Sequence, residues 1–163
     1  MDGGWGSHAP VLALAASLTT GPVLELGAGD WSTRLLHLMC GAHGRRLVTV
    51  ETEAKWLEKF EELRTDWHEL HLVGRQEWDG FKLLEQIHWG LAFVDHAPGD
   101  RRIVEIARLQ HRAELVVVHD SEAACYGYEP YFKKYKYRWD CKIMRPWTTI
   151  VSNKVDLGIL NAL

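Results

Sequence analysis

Cysteine is scarce in this 163-residue chain: Cys40, Cys125 and Cys141 are odd in number and show no paired spacing. That excludes a disulfide framework and a paired-cysteine zinc motif, and predicts free thiols in a reducing, cytoplasmic compartment. Long hydrophobic runs are also missing, and none approaches the roughly 20 residues that span a bilayer. The stretch Val11–Ala16 follows Pro10 without a basic flank before it and is not expected to act as a secretory signal. Positive charge is not in excess. Lys+Arg 19 against Asp+Glu 22 gives a formal charge of -3, which argues against a dedicated nucleic-acid or anionic-membrane binder. Internal repeats, low-complexity tracts and linkers rich in Pro, Gly or Ser are absent too. With 47% hydrophobic and 25% charged residues, the composition excludes disorder and predicts one domain over 1–163.

What is present is regular punctuation. Short apolar stretches alternate with helical patterns, as in a parallel sheet built from βαβ units. Ser7 is placed to cap a helix over Pro10–Leu18, which Gly21-Pro22 ends. Strands are predicted at Val23–Leu26, Leu47–Val50, Leu70–Val73, Leu91–Val94 and Leu115–Val118. Helices are predicted from Ser32 or Thr33 to Cys40, over Ala54–Arg64, over Trp78–Ile87 and over Arg101–Arg112. The last third changes character. Tyr135–Cys141 alternates aromatic or apolar residues with polar ones, and Trp147–Val151 can return as its antiparallel partner.

Two constellations carry chemistry. The first is PVLELGAGDWST at 22–33, where a strand runs into Gly27 and Gly29 and a helix follows. Glycine lets a backbone turn sharply and approach a ligand. Glu51 ends the next strand, where a carboxylate can accept both hydroxyls of a ribose. A dinucleotide usually needs a third glycine where this chain has Ser32, and the length leaves no second nucleotide-binding half. S-adenosylmethionine has no phosphate and is cationic at sulfur, so Glu25 and Asp30 near the turn suit it better.

The second constellation is LAFVDHAP at 91–98 and LVVVHDSE at 115–122. Each apolar strand ends in an Asp with a His beside it, at the end where ligands bind in open α/β sheets. Asp95, His96, His119 and Asp120 are therefore the candidate catalytic residues. His96 or His119 can serve as the base for an acceptor hydroxyl; alternatively Asp95 and Asp120 hold a divalent cation. The plainer reading is that each Asp caps the following helix and each His packs locally.

Together these residues resemble the class I S-adenosylmethionine-dependent methyltransferases, through the Glu25-Leu26-Gly27-Ala28-Gly29-Asp30 motif, the strand order and the terminal hairpin. The resemblance spans roughly residues 7–153. It implies a Rossmann-like α/β sandwich, mostly parallel, with a C-terminal antiparallel hairpin. It also implies that Glu25, Gly27 and Gly29 surround the methionine part of the cofactor and that Glu51 holds the ribose. Thr52 would lie near the adenine, with Glu77 or Trp78 closing the other side, and Trp5 and His8 would form a lid. The strand-end pairs look similar to the catechol-type O-methyltransferases, which implies Mg²⁺ or Mn²⁺ on Asp95 and Asp120, with Ser121 where that family has Asn.

Further candidates for the acceptor pocket are Cys125, Tyr126 and Tyr128, together with Arg145-Pro146-Trp147. Lys133, Lys134, Lys136, Arg138, Lys142 and Arg145 form a basic run with interleaved aromatics. It can bind RNA, although the solvated side of an edge strand explains it more simply. The expected activity is O-methylation of a small molecule, with neither nucleic acid nor membrane as partner. The pocket is expected to be open or completed by a second copy in a homo-oligomer. A cofactor-binding protein without chemistry and an RNA methyltransferase are the alternatives.

Overall fold

The computed structural model describes residues 6–162. Seven strands form one sheet in the order β3-β2-β1-β4-β5-β7-β6. They are β1 (Val23–Leu26), β2 (Leu47–Glu51), β3 (His68–Leu72), β4 (Trp89–Val94), β5 (Ala113–His119), β6 (Tyr137–Cys141) and β7 (Thr148–Ser152). β1 to β5 pair in parallel; β7 runs antiparallel beside β5, and β6 pairs with β7 at the edge. The fold is therefore the mostly parallel Rossmann-like sandwich with a terminal antiparallel pair.

The central strands are apolar on both faces because helices cover both. Val23, Leu47, Leu91, Phe93, Leu115 and Val117 pack under α1 (Ala9–Ser17) and α2 (Ser32–Ala42). Their neighbours Leu24, Leu26, Val48, Ala92, Val94, Val116 and Val118 face the opposite layer. There they meet α5 (Arg102–Leu109) through Ile106 and Leu109, and α6 (Glu129–Phe132) through Phe132. Between α2 and α5 in the chain lie two shorter helices, α3 (Ala54–Leu57) and α4 (Leu83–Gln86).

Four local expectations are corrected. Ser7 does not cap α1: the N-cap position falls on His8 and has no side-chain bond, while the Ser7 hydroxyl is drawn to His119 and the Pro146 carbonyl. The helix predicted over Ala54–Arg64 tightens after Leu57 into a 3₁₀ helix over Glu58–Leu63. The helix predicted over Trp78–Ile87 is broken at Phe81, because Trp78 is drawn fully into the core. Tyr135 stays outside β6: its ring is buried and its hydroxyl donates to the Ile106 carbonyl at 2.7 Å.

The basic run follows the edge strand and the segments beside it. Arg138 is paired to Glu129 and Asp140, and Lys134, Lys136, Lys142 and Arg145 lie over aromatic rings. Among the described residues no helix is long and apolar enough to cross a membrane, and all three cysteines are free.

Candidate active site

The parallel strands point their carboxyl ends into a cavity of about 750 Å³. Gly27–Ser32 line one side of it, Glu51 and Trp56 the next, and Asp95, Ala97, Arg102, His119 and Asp120 the far end, with His8 and Pro146 as neighbours. The glycine turn and the strand-end acids thus share one crevice, at the position that open α/β sheets use for ligands.

Gly27 is required by its surroundings. Its φ of +96° is a left-handed conformation, and a Cβ there would sit 2.7 Å from the Asp95 carbonyl. The missing side chain is what lets β1 and β4 converge under the cavity. Glu51 is held by three backbone amides: Ala28 N–H donates to Oε2 at 2.9 Å, and Thr52 and Glu53 N–H donate to Oε1 at 2.6 and 2.9 Å. Each carboxylate oxygen has two acceptor positions, so Oε2 keeps one for a ligand. Trp56 is fixed by its indole N–H, which donates to the Ala28 carbonyl at 2.6 Å, and it forms an apolar wall.

Glu25 lies beneath the turn rather than in the cavity. It is fully buried, and Thr49 Oγ1 donates to its Oε2 at 2.7 Å. Burial raises its pKa to about 7, against the lowering effect of the Ser32, Thr49 and Thr33 hydroxyls.

At the far end, His119 Nδ1 stands 3.2 Å from Asp95 Oδ2, and its Nε2 stands 3.0 Å from Ser7 Oγ. His8 is buried against Phe93, with its ring edge-on to His119 at a centroid distance of 4.6 Å. Burial lowers the His8 pKa to about 4, the nearby His119 adding to this and Asp95 opposing it, so its imidazole is neutral.

Arg102 joins the two acids. Its guanidinium is 3.0 Å from Asp95 Oδ1 and 3.0 Å from Asp120 Oδ2, and it donates to the Asp95 and His96 carbonyls. Burial works against its charge, but Asp95, Tyr128 and Asp120 outweigh that and raise its pKa. Asp120 reaches the guanidinium from a left-handed backbone (φ 54°) just past β5. The metal pair implied by the catechol-type resemblance does not fit here, because Arg102 already bridges the carboxylates that would share the ion.

Several expected positions are turned elsewhere. His96 is a correction: it follows Ala92 and Val94 to the opposite face of the sheet, under the Trp78 ring and 3.4 Å from Glu105 Oε2. Burial lowers its pKa, with Glu105 opposing. Trp78 is fully buried in that layer, Glu77 accepts the Gly74 N–H, and Thr52 donates to the Ala97 carbonyl; none of the three lines the cavity. Tyr126 and Tyr128 back Arg102, Cys125 is exposed, and Arg145 and Trp147 border a separate shallow groove, which leaves Pro146 as the hairpin's contribution. Trp5 lies outside the described residues.

Arg102 and Trp56 escaped the sequence reading, since an Arg in a first helical turn and a Trp in an amphipathic pattern carry no site signal. The Asp95–His119 pairing follows from the strand register. In parallel register Phe93 stands beside Val117, so two residues further Asp95 stands beside His119 on the same face.

No protein-family model and no curated protein matches the chain. Solved structures match its fold. The O-methyltransferase TomG from Streptomyces achromogenes, in complex with SAM, aligns at 18% identity with a TM-score of 0.68, covering 91% of this chain and 80% of TomG. Cofactor-bound Rv0187 from MTB aligns at 18% identity and 0.67 over the same shares. The METTL16 methyltransferase domain aligns at 12% identity and 0.63, covering 90% of this chain and 81% of that domain. The chain has the fold of the SAM-dependent methyltransferases.

Proposed function

We propose that this protein transfers a methyl group from S-adenosylmethionine to a hydroxyl of a small molecule. The observation that carries this reading is the meeting, in one cavity, of the Gly27 turn, the Glu51 carboxylate and the Asp95–His119 pair. S-adenosylmethionine supplies an electrophilic methyl group on a cationic sulfur. The turn at Gly27 keeps side chains out of the space the cofactor needs, and Glu51 Oε2 accepts from its ribose. Trp56 gives the adenine an apolar wall. A hydroxyl held at the far end is deprotonated at the Asp95–His119 pair, whose orientation is set by Arg102 on Asp95 and by Ser7 on His119.

Support for a small acceptor comes from the cavity, a crevice of about 750 Å³, and from the pairing of Arg138 with acids and of Lys134, Lys136, Lys142 and Arg145 with aromatic rings. A protein that binds the cofactor without chemistry would have no use for the acid–imidazole pair.

Calorimetry with S-adenosylmethionine, its demethylated product and NAD, followed by a screen of hydroxylated acceptors, tests the reading. Binding of the first two, with turnover that falls roughly 10²- to 10⁴-fold in Asp95→Asn and His119→Gln, is expected. Heat with NAD alone, or turnover indifferent to both substitutions, would overturn it.

A further inference from the structure

We infer that His8, Asp95 and His119 form a binding site for a divalent first-row transition metal, with the open side of the ion facing the cavity. The site is read from donor atoms alone; it shares Asp95 and His119 with the proposed base, and its test is separate from that of methyl transfer. It also differs from the Asp95–Asp120 pair, which Arg102 has closed to a cation.

The hydrogen-bond directions carry the argument. The Ser7 hydroxyl donates to the Pro146 carbonyl at 2.8 Å, so toward His119 Nε2, 3.0 Å away, it presents a lone pair. The proton of a neutral His119 therefore belongs on Nε2. That leaves the Nδ1 lone pair aimed at Asp95 Oδ2, 3.2 Å away, with two acceptors facing each other. Either a second proton, on Nδ1, or a metal ion between the two atoms resolves that contact. Two ligands each about 2.1 Å from a metal, at tetrahedral or octahedral angles, stand roughly 3.0–3.4 Å apart, which is the spacing found.

The third ligand is an independent observation. His8 is 96% buried, lines the cavity, and neither ring nitrogen has a hydrogen-bond partner among the described residues. A buried imidazole with two idle nitrogens is costly unless something else uses one of them. One donor atom from each of His8, Asp95 and His119 lies within 4.8 Å of the other two, and the remaining closure falls on His8. The surroundings suit the ion. Two carboxylates share one guanidinium, which leaves a net negative charge, and the bond from His119 Nε2 to Ser7 and on to Pro146 fixes the imidazole as metal sites require. Two nitrogens and one carboxylate select Zn²⁺, Co²⁺, Fe²⁺ or Mn²⁺ over Mg²⁺, and three protein ligands leave a coordination position open.

The test loads the full-length protein, freed of metal, with Co²⁺ and follows its visible absorption, then loads Zn²⁺ and records X-ray absorption at the zinc edge. Expected are saturable uptake of one ion per chain, displacement of Co²⁺ by Zn²⁺, and scattering from two imidazoles. His8→Gln and His119→Gln should each weaken uptake at least about tenfold, and His37→Gln, whose ring meets His68 of β3, should not. Saturable binding that persists in His8→Gln, scattering without imidazole, or no saturable uptake would overturn the site. The zinc-edge measurement needs no variant, so a misfolded substitution cannot obscure the answer. Failure here leaves cofactor titration at the Gly27 turn untouched, and failure there leaves metal uptake untouched.

Discussion

Asp95 and Asp120, the acids past the ends of neighbouring strands, are tied together by one guanidinium, each 3.0 Å from Arg102. Arg102 takes Asp95 Oδ1, which leaves Asp95 Oδ2 facing His119.

Arg102→Met should destabilise the protein by about 3–5 kcal/mol in urea denaturation, because it leaves two partly buried carboxylates facing each other without their cation. Arg102→Lys should recover only a fraction, since a single ammonium cannot span both acids and the Asp95 and His96 carbonyls.

Glu51→Ala should weaken S-adenosylmethionine binding roughly 10- to 100-fold by calorimetry, the worth of one or two charge-assisted hydrogen bonds. It should also lower Tm without ligand, because the Ala28, Thr52 and Glu53 amides lose their acceptor. Glu51→Gln, which keeps an acceptor oxygen, should fall between.

Gly27→Ala should cost about 2–4 kcal/mol of stability, from the left-handed φ and from the contact of the new methyl with the Asp95 carbonyl. Gly29→Ala, whose Cβ would meet only the Ser32 hydroxyl, should be far milder. Chemical denaturation of the pair checks the contrast.

Stability should depend on pH through two buried groups on one hydrogen-bonded path, in which Thr49 Oγ1 links His68 Nε2 to Glu25. Glu25 has a folded pKa raised to about 7, so its contribution is full below about 4.5 and is lost as pH rises toward 7, an effect of about 3 kcal/mol. Burial, with His37 beside it, lowers His68 to about 4, so its contribution is present above 6.5 and is lost as pH falls toward 4. The two slopes oppose each other between 4.5 and 6.5. Glu25→Gln should therefore turn a shallow profile into one that rises with pH through that window, followed by denaturation at fixed temperature. A profile unchanged by the substitution would show that Glu25 does not titrate there.

The parallel sheet was legible in the sequence because its strands are short apolar runs cut by glycine turns and helical periods, and local pattern alone encodes those. The terminal hairpin was legible in the alternation of Tyr135–Cys141, of which Tyr137–Cys141 forms β6. Gly27, Gly29, Asp30, Ser32, Glu51, Asp95, His119 and Asp120 were legible as one end of the sheet, since residues that end parallel strands must gather there. Which of them face one another was decided only by the tertiary structure. A strand buried on both sides shows no alternation, so nothing local told that Asp95 and His119 share a face while His96 takes the other. The partnership of Arg102 with both acids, and of His8 with His119, joins segments far apart in the chain. Such contacts follow from packing α1 and α5 on opposite layers, which no short stretch of sequence specifies.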